Sequence, residues 1–225
     1  MFAWDDSGVT RYLFLATALT LQSLPLFPLG TVLFPGGVLP LRIFEVRYLD
    51  MIGRCHKAGA PFGVVSLTQG HEVRQPGSGP EAFAGVGTLA VIDSLEQPRP
   101  GLMMIRASGQ QRFRIRSRDQ LRHGLWVADV ERMDADKPVP VPDDLQSSAM
   151  ALTKVLHSLQ ERAESPQHMP VAQPWRLDDC GWVANRWCEL LPLPVPLKQR
   201  LMELDNPLLR LELVGDVLTR MGIGE

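Results

Sequence analysis

Hydrophobic and polar positions change rhythm once along this chain. The front reads as short apolar runs cut by proline and glycine; the back reads as apolar residues recurring at threes and fours. Residues 24–48 are LPLFPLGTVLFPGGVLPLRIFEVRY, and no charged residue occurs from Tyr12 to Leu41. Pro25, Pro28, Pro35 and Pro40 divide the run into extended pieces at 24–27, 31–34 and 38–41, with Gly36-Gly37 as a turn, because proline is tolerated at strand ends and edges. These pieces are apolar on both sides, as strands covered on both faces are. Proline also removes a helical hydrogen bond and clashes with the preceding turn, so the stretch does not read as a membrane helix. Ala16-Thr17-Ala18 has the small-x-small form of a leader cleavage site. However, Asp5, Asp6 and a lone Arg11 stand where a positive segment is expected, so a secretory leader is not expected either.

Helical spacing follows. Phe44, Tyr48, Met51, Ile52 and Cys55 predict an amphipathic helix over 44–58 that ends near Gly59. Extended pieces are then expected at 62–68, 83–94, 102–108, 111–117 and 125–133. A loop is expected over 69–81, a turn at 97–101, and a join through Gly109. Strands at this spacing predict a small closed or half-closed β structure with the one helix packed on it. Residues 136–142, DKPVPVP, read as a short stiff linker. Beyond it Asp143 and Asp144 are candidate caps for a helix carrying Leu145, Ala149, Leu152, Leu156, Leu159 and Ala163. After a loop at 164–176, a second helix spans 179–191 with Val183, Trp187 and Leu190 inward. Pro196 opens a third, with Leu197, Leu201 and Leu204 on one side. Asn206-Pro207 caps and starts a fourth, which carries Leu211, Val214, Leu218 and Met221 and stops at Gly222. The fold class is α+β.

Composition adds limits. The 225 residues are 45% hydrophobic and 21% charged with a net charge of −2, ordinary for a soluble protein and without a global pull toward nucleic acid or anionic membrane. Three cysteines at scattered spacings argue against a disulfide framework and for a reducing compartment, the cytoplasm.

Several motifs carry a resemblance. Leu24-Pro25-Leu26-Phe27-Pro28-Leu29, Val32-Leu33-Phe34-Pro35-Gly36, Leu39-Pro40-Leu41 and Phe44-Glu45-x-Arg47-Tyr48 resemble the opening of the Lon protease N-terminal, substrate-binding domain. Gly85-Val86-Gly87-Thr88 and Gly109-Gln110-Gln111-Arg112-Phe113 resemble its later β motifs. Lys198-Gln199-Arg200-Leu201-Met202-Glu203 and Arg210-Leu211 resemble its closing helices. The resemblance spans about residues 23–222 and implies a stand-alone bacterial member with a PUA-like β pseudo-barrel, one packed helix and a C-terminal helical bundle. It divides the chain into an extension over 1–22, a β-rich part over 23–135 and a helical part over 143–222. It implies recognition of unfolded or tagged polypeptide within a protease or chaperone system, and not cleavage. The four lysines, Lys57, Lys137, Lys154 and Lys198, never follow glycine, so a phosphate-binding G-x-x-x-x-G-K-[ST] loop is absent from this sequence.

Candidate chemistry is sparse. Cys55-His56 are adjacent on a helix and diverge, Cys180 and Cys188 lie two turns apart, and His71, His123, His157 and His168 are scattered. No metal site, cofactor or catalytic residue is expected. Cys55 reads as a buried inert thiol, and Asp178-Asp179 as a cap. For peptide binding the candidates are Phe34, Arg42, Phe44, Arg47, Arg112 and Trp175, with Arg47 alternatively tying the helix to a loop carbonyl. The expected partner is extended polypeptide, added to a strand edge or laid in an apolar cleft, with no membrane and at most weak self-association. The alternative is RNA or DNA binding. Arg112, Arg114, Arg116 and Arg118 alternate with Phe113 and Ile115, which on a regular strand puts four guanidinium groups on one face. The competing reading pairs that face with Asp129 and Glu131 on the neighbouring strand.

Overall fold

A computed structural model describes residues 20–72, 81–165 and 169–223. Expectations for residues 1–19 and most of the 69–81 loop fall outside the described residues. The chain divides into two compact units, residues 1–134 and 135–225. Among the described residues no helix is long and apolar enough to cross a membrane.

The first unit is built from β1 (Thr20–Leu29), β2 (Val38–Ile43), α1 (Val46–Ala58), β3 (Phe62–Gln69), β4 (Ala82–Phe83), β5 (Val86–Arg99), β6 (Leu102–Gln120) and β7 (Trp126–Arg132). The hydrogen-bonded order β1-β7-β6-β5-β3 closes on itself because β1 also pairs β3, while β2 adds to β6 and β4 to β3. The result is a five-stranded pseudo-barrel, antiparallel except at the β1–β3 seam.

The expected piece at 83–94 is two strands, β4 and β5, and β5 runs on into the expected 97–101 turn; three further strand expectations need correction. First, residues 24–27 do not form a separate piece: β1 runs unbroken through Pro25 and Pro28. It pairs β7 up to Leu26 and β3 from Leu26 onward, so each proline lies in a half laddered on one side only. A bulge between Leu21 and Leu24 bends this strand, with Ser23 at φ 49° and its N–H donating to Asp129 Oδ1 at 3.0 Å. Thr20 to Gln22 belong to the same strand. Second, residues 31–34 are not a strand. They form an irregular segment buried at Val32, Leu33 and Phe34. Third, 102–108 and 111–117 are a single strand, β6. Gly109 does not break it; its N–H donates to Gly37 O and its carbonyl accepts from Gly36 N–H, both at 2.8 Å.

Two apolar clusters organise this unit. The lumen holds Leu24, Leu26, Val65, Leu89, Phe113, Ala128 and Val130. The outer face packs Phe27, Phe62, Val64, Ala90, Ile105 and Ala107 under Tyr48, Met51, Ile52 and Cys55 of α1. The α1 stripe therefore reads as expected from Tyr48 onward. The helix begins at Val46, however, and leaves Phe44 outside it.

The second unit contains α2 (Gln146–Arg162), α3 (Cys180–Leu190), α4 (Val195–Glu203) and α5 (Pro207–Arg220). Every residue of α3 from Cys180 to Cys188 is buried, so it is the central helix of the unit. Asp179 caps it by accepting from Trp182 N–H at 2.8 Å. Asn206 Oδ1 caps α5, accepting from Leu208 and Leu209 N–H at 3.0 and 3.2 Å, with Pro207 at the first helical position. Asp143 and Asp144 cap nothing; they lie in a 3-10 turn (Asp143–Leu145) that precedes α2. The expected linker is strapped down. Asp136 pairs with Arg210 at 2.5 Å, Val141 N–H donates to Asp178 O at 3.0 Å, and Val139 O accepts from Cys180 N–H at 2.8 Å.

Candidate functional site

The segment from β2 into α1 is where apolar surface comes into the open. Along β2 side chains alternate, so Ile43 turns into the core while Arg42 and Phe44 turn outward. Phe44 is 52% exposed and Val46, the first helical residue, 81% exposed. Across the ladder Arg42 is paired with Met104 of β6, itself 41% exposed. Continuing that register by one residue sets Phe44 beside Leu102, and Leu102 is paired with Arg99 of β5. Two concavities meet here. One, of about 170 Å³, is lined by Phe27, Leu29, Leu41, Phe44, Tyr48 and Glu72 among others. The other, of about 550 Å³, is lined by Arg42, Phe44, Arg99, Pro100, Gly101 and Leu102. Arg42 and Phe44 border both.

The first turn of α1, which follows Phe44 in the chain, is held by a buried polar network. Arg47 is buried and donates from Nη1 to Gly124 O at 2.9 Å, from Nε to Glu45 at 3.1 Å and from Nη2 to Glu81 at 3.3 Å. Its guanidinium also lies 4.5 Å from the Tyr48 ring centroid. The second oxygen of Glu81 accepts from Trp126 Nε1–H at 2.8 Å. Burial acts to lower the Arg47 pKa, but Tyr48, Glu45 and Glu81 outweigh it and the pKa is raised. Arg47 thus ties α1 to the β6–β7 turn and is not a rim anchor.

The other candidates are dispersed. Phe34 is fully buried, because the Phe34-Pro35-Gly36-Gly37 turn is bonded down onto Gly109 of β6, so it offers no apolar contact to a partner. Arg112 is buried opposite Thr88 of β5. Trp175 lies in the helical unit, half-buried, its ring edge-on to His157 at 5.4 Å between centroids. The four-arginine face does not form. A bulge between Ile115 and Ser117 leaves Arg116 as an extra residue, which reverses the alternation beyond it. Arg118 consequently lies over the Phe83 and Trp126 rings at 4.7 and 5.7 Å, and Arg116 pairs with Glu131. Arg114, Arg116 and Arg118 remain exposed, but Arg112 is buried and Arg118 lies over two rings, so the four do not make the single array that the nucleic-acid alternative needed.

Val46, Met104 and Arg99 were missed. Val46 carried a readable sign: it heads the exposed stripe of α1 that continues as Asp50, Arg54 and Lys57, where a valine is out of place. Met104 and Arg99 needed the β2–β6–β5 register.

No cysteine lines these concavities among the described residues. All three cysteines are buried and free, and burial pushes the thiols of Cys55 and Cys188 up to about 12. Among the described residues no three His, Cys, Asp or Glu side chains gather in a way that could hold a metal ion.

The architecture is thus a small mixed barrel sheathed by one helix, followed in the chain by an all-helical unit. The family model for the ATP-dependent protease La (LON) substrate-binding domain matches residues 23–220, and the chain belongs to that family. The crystal structure of a Lon N-terminal domain protein from Xanthomonas campestris is 30% identical, with a TM-score of 0.66 over 86% of this chain and 97% of that one. The N-terminal domain of a Mycobacterium avium complex Lon protease shares the fold at 19% identity and a TM-score of 0.53, covering 87% of this chain and 97% of that one. Lon protease 2 of Herpetosiphon aurantiacus is 28% identical over 222 residues, 96% of this chain and 26% of the protease. The chain therefore spans about a quarter of the length of the curated relatives it matches.

Proposed function

We propose that this chain is a non-catalytic recognition module for extended polypeptide, and that the binding surface is the one around Phe44. The observation that carries this reading is the exposure of Phe44, which borders both concavities of the barrel unit, together with exposed Val46 two residues on in the chain and exposed Met104 paired with Arg42 across the ladder. Exposed apolar side chains scattered singly need no explanation, but a group beside a cleft is what interaction sites present. Membership of the LON substrate-binding family supports the same reading. The bonds from Arg47 to Glu45, Glu81 and Gly124 hold the start of α1, next to Val46, and a held segment loses less entropy on binding. Affinity would come from burying Phe44 and Val46 against apolar residues of an unfolded segment. Sequence tolerance would follow, because burial of apolar area is not directional. The free thiols support a reducing compartment, the cytoplasm, as the setting, where unfolded clients of a protease or chaperone system are the expected partners.

The test is titration of a fluorescently labelled, permanently unfolded model protein with the chain. Saturable binding in the micromolar range is expected, weakened about tenfold in the double variant Phe44→Ser, Val46→Ser, which removes two exposed anchors without touching the core. No saturable binding at tens of micromolar overturns the reading, as does a double variant that binds like the parent.

A further inference from the structure

The larger pocket carries a charge asymmetry that apolar recognition does not use. Its lining holds two guanidinium groups, Arg42 and Arg99, and no carboxylate. Neither arginine makes an ion pair or side-chain hydrogen bond with any described residue. Phe44, Leu102 and Arg99 follow one another across β2, β6 and β5, Arg42 stands on the same side of β2 two residues before Phe44, and the Pro100-Gly101 turn completes the lining. The carboxylate nearest in register is Glu96, in the row of Met104 and Arg42, and it does not line the pocket; Glu45 and Glu72 line the smaller concavity that Arg42 also borders, and not this one. Several other arginines of this unit are placed against acids or rings: Arg47 on Glu45 and Glu81, Arg54 on Asp50, Arg116 on Glu131, Arg118 over Phe83 and Trp126. Arg42 and Arg99 differ from these in lining one pocket together, and an anion is the ligand that complements them.

Building on the polypeptide-binding reading above, we infer that this pocket takes the C-terminal residue of a polypeptide, its free carboxylate between Arg42 and Arg99 and its apolar side chain against Phe44 and Leu102. The choice of a chain end over an internal acidic residue follows from geometry. In an extended chain neighbouring side chains point to opposite sides, so an internal aspartate and its apolar neighbour do not enter one pocket together. A terminal residue carries the carboxylate and the apolar side chain on a single Cα. Arginine suits the task because its planar fork matches a carboxylate with two parallel hydrogen bonds.

The experiment compares three labelled peptides of identical internal sequence by fluorescence anisotropy. One ends in leucine with a free carboxylate, one ends in leucine amide, and one ends in leucine amide but carries an internal aspartate. The free-carboxylate peptide is expected to bind about tenfold more tightly than either amide, the scale of a hydrogen bond to a charged group. Arg42→Ala and Arg99→Ala, both at exposed positions, are expected to remove that preference, so that each variant binds the acid and the amide peptides alike. Added salt is expected to shrink the preference in the parent. Equal binding of acid and amide, with both lost in the Phe44→Ser, Val46→Ser variant, overturns the carboxylate pocket and leaves polypeptide recognition standing. An internal aspartate that restores full affinity overturns the choice of a chain end. Failure of all three peptides to bind overturns both readings.

Discussion

Gly63 and Gly87 stand on either side of the Phe113 ring tip in the barrel lumen, and the two positions respond differently to the same added methyl. A Cβ on Gly63 would come within 2.7 Å of Leu26 Cδ2, 2.8 Å of Phe113 Cζ and 3.0 Å of Leu24 Cδ2, all ends of side chains. A Cβ on Gly87 would meet Phe113 Cζ and Val65 Cγ1 at 2.7 Å each, but also the backbone carbonyl of Val64, which cannot swing away. Overpacking of this kind costs about 1–3 kcal/mol, of which alanine's smaller backbone entropy loss returns about 0.5–1. Gly63→Ala is thus expected to cost about 1–2 kcal/mol and Gly87→Ala about 3. Phe113→Leu removes Cζ and by itself costs about 1–2 kcal/mol from lost burial. Combined with Gly63→Ala it should relieve the clash, so the double variant falls short of the sum by about 1 kcal/mol. Combined with Gly87→Ala it should give little relief, because the carbonyl contact remains. Native-state hydrogen exchange at the β6 amides measures the cycle, since it reads the stability of the barrel unit itself. Strict additivity in the Gly63 pair, or equal relief in both pairs, would refute the assignment of Phe113 to the lumen between these glycines.

Other expectations follow from the same geometry. Arg47→Ala leaves the Glu81 carboxylate buried without its cation and should destabilise the barrel unit by about 3–5 kcal/mol in the same exchange measurement, with Arg47→Lys falling between. The thiols of Cys55 and Cys188 are raised by burial to about 12, so above the ordinary thiol value near 8.5 the unfolded chain loses protons that the folded chain keeps. Stability contributed by these groups is therefore complete below that value and declines as pH rises toward 12, by about 1.4 kcal/mol per thiol per pH unit. Urea denaturation of the Cys55→Ala, Cys188→Ala variant should show a flatter alkaline limb than the parent.

Much of the fold was legible because local chemistry and tertiary structure agree. Asn206-Pro207 states a cap and a helix start in two residues, and both are realised. The spacing of Tyr48, Met51, Ile52 and Cys55 states which side of α1 faces the sheet, and those are its buried residues. The misses in the barrel unit share one cause, which is that strand pairing is non-local. Pro25 and Pro28 look like breaks, yet β1 exchanges one partner for another between them and needs no ladder on both sides. Gly109 looks like a turn, yet it holds the Gly36-Gly37 loop against a continuous strand. The arginine series looks like one face, but a single extra residue at Arg116 reverses it, and a bulge leaves no mark on sequence alternation. Phe34 and Phe44 look equally available on paper. The turn that buries one and the strand end that exposes the other are set by contacts far along the chain.

The central claim is that polypeptide is held at the Phe44 surface. Amide chemical-shift mapping of the isotope-labelled chain, titrated with an unfolded peptide ending in leucine, tests it residue by residue. The account predicts shifts concentrated at residues 40–46 and 99–104, saturating together. Shifts confined to the helical unit, or an unperturbed 40–46 segment under saturating peptide, would contradict it.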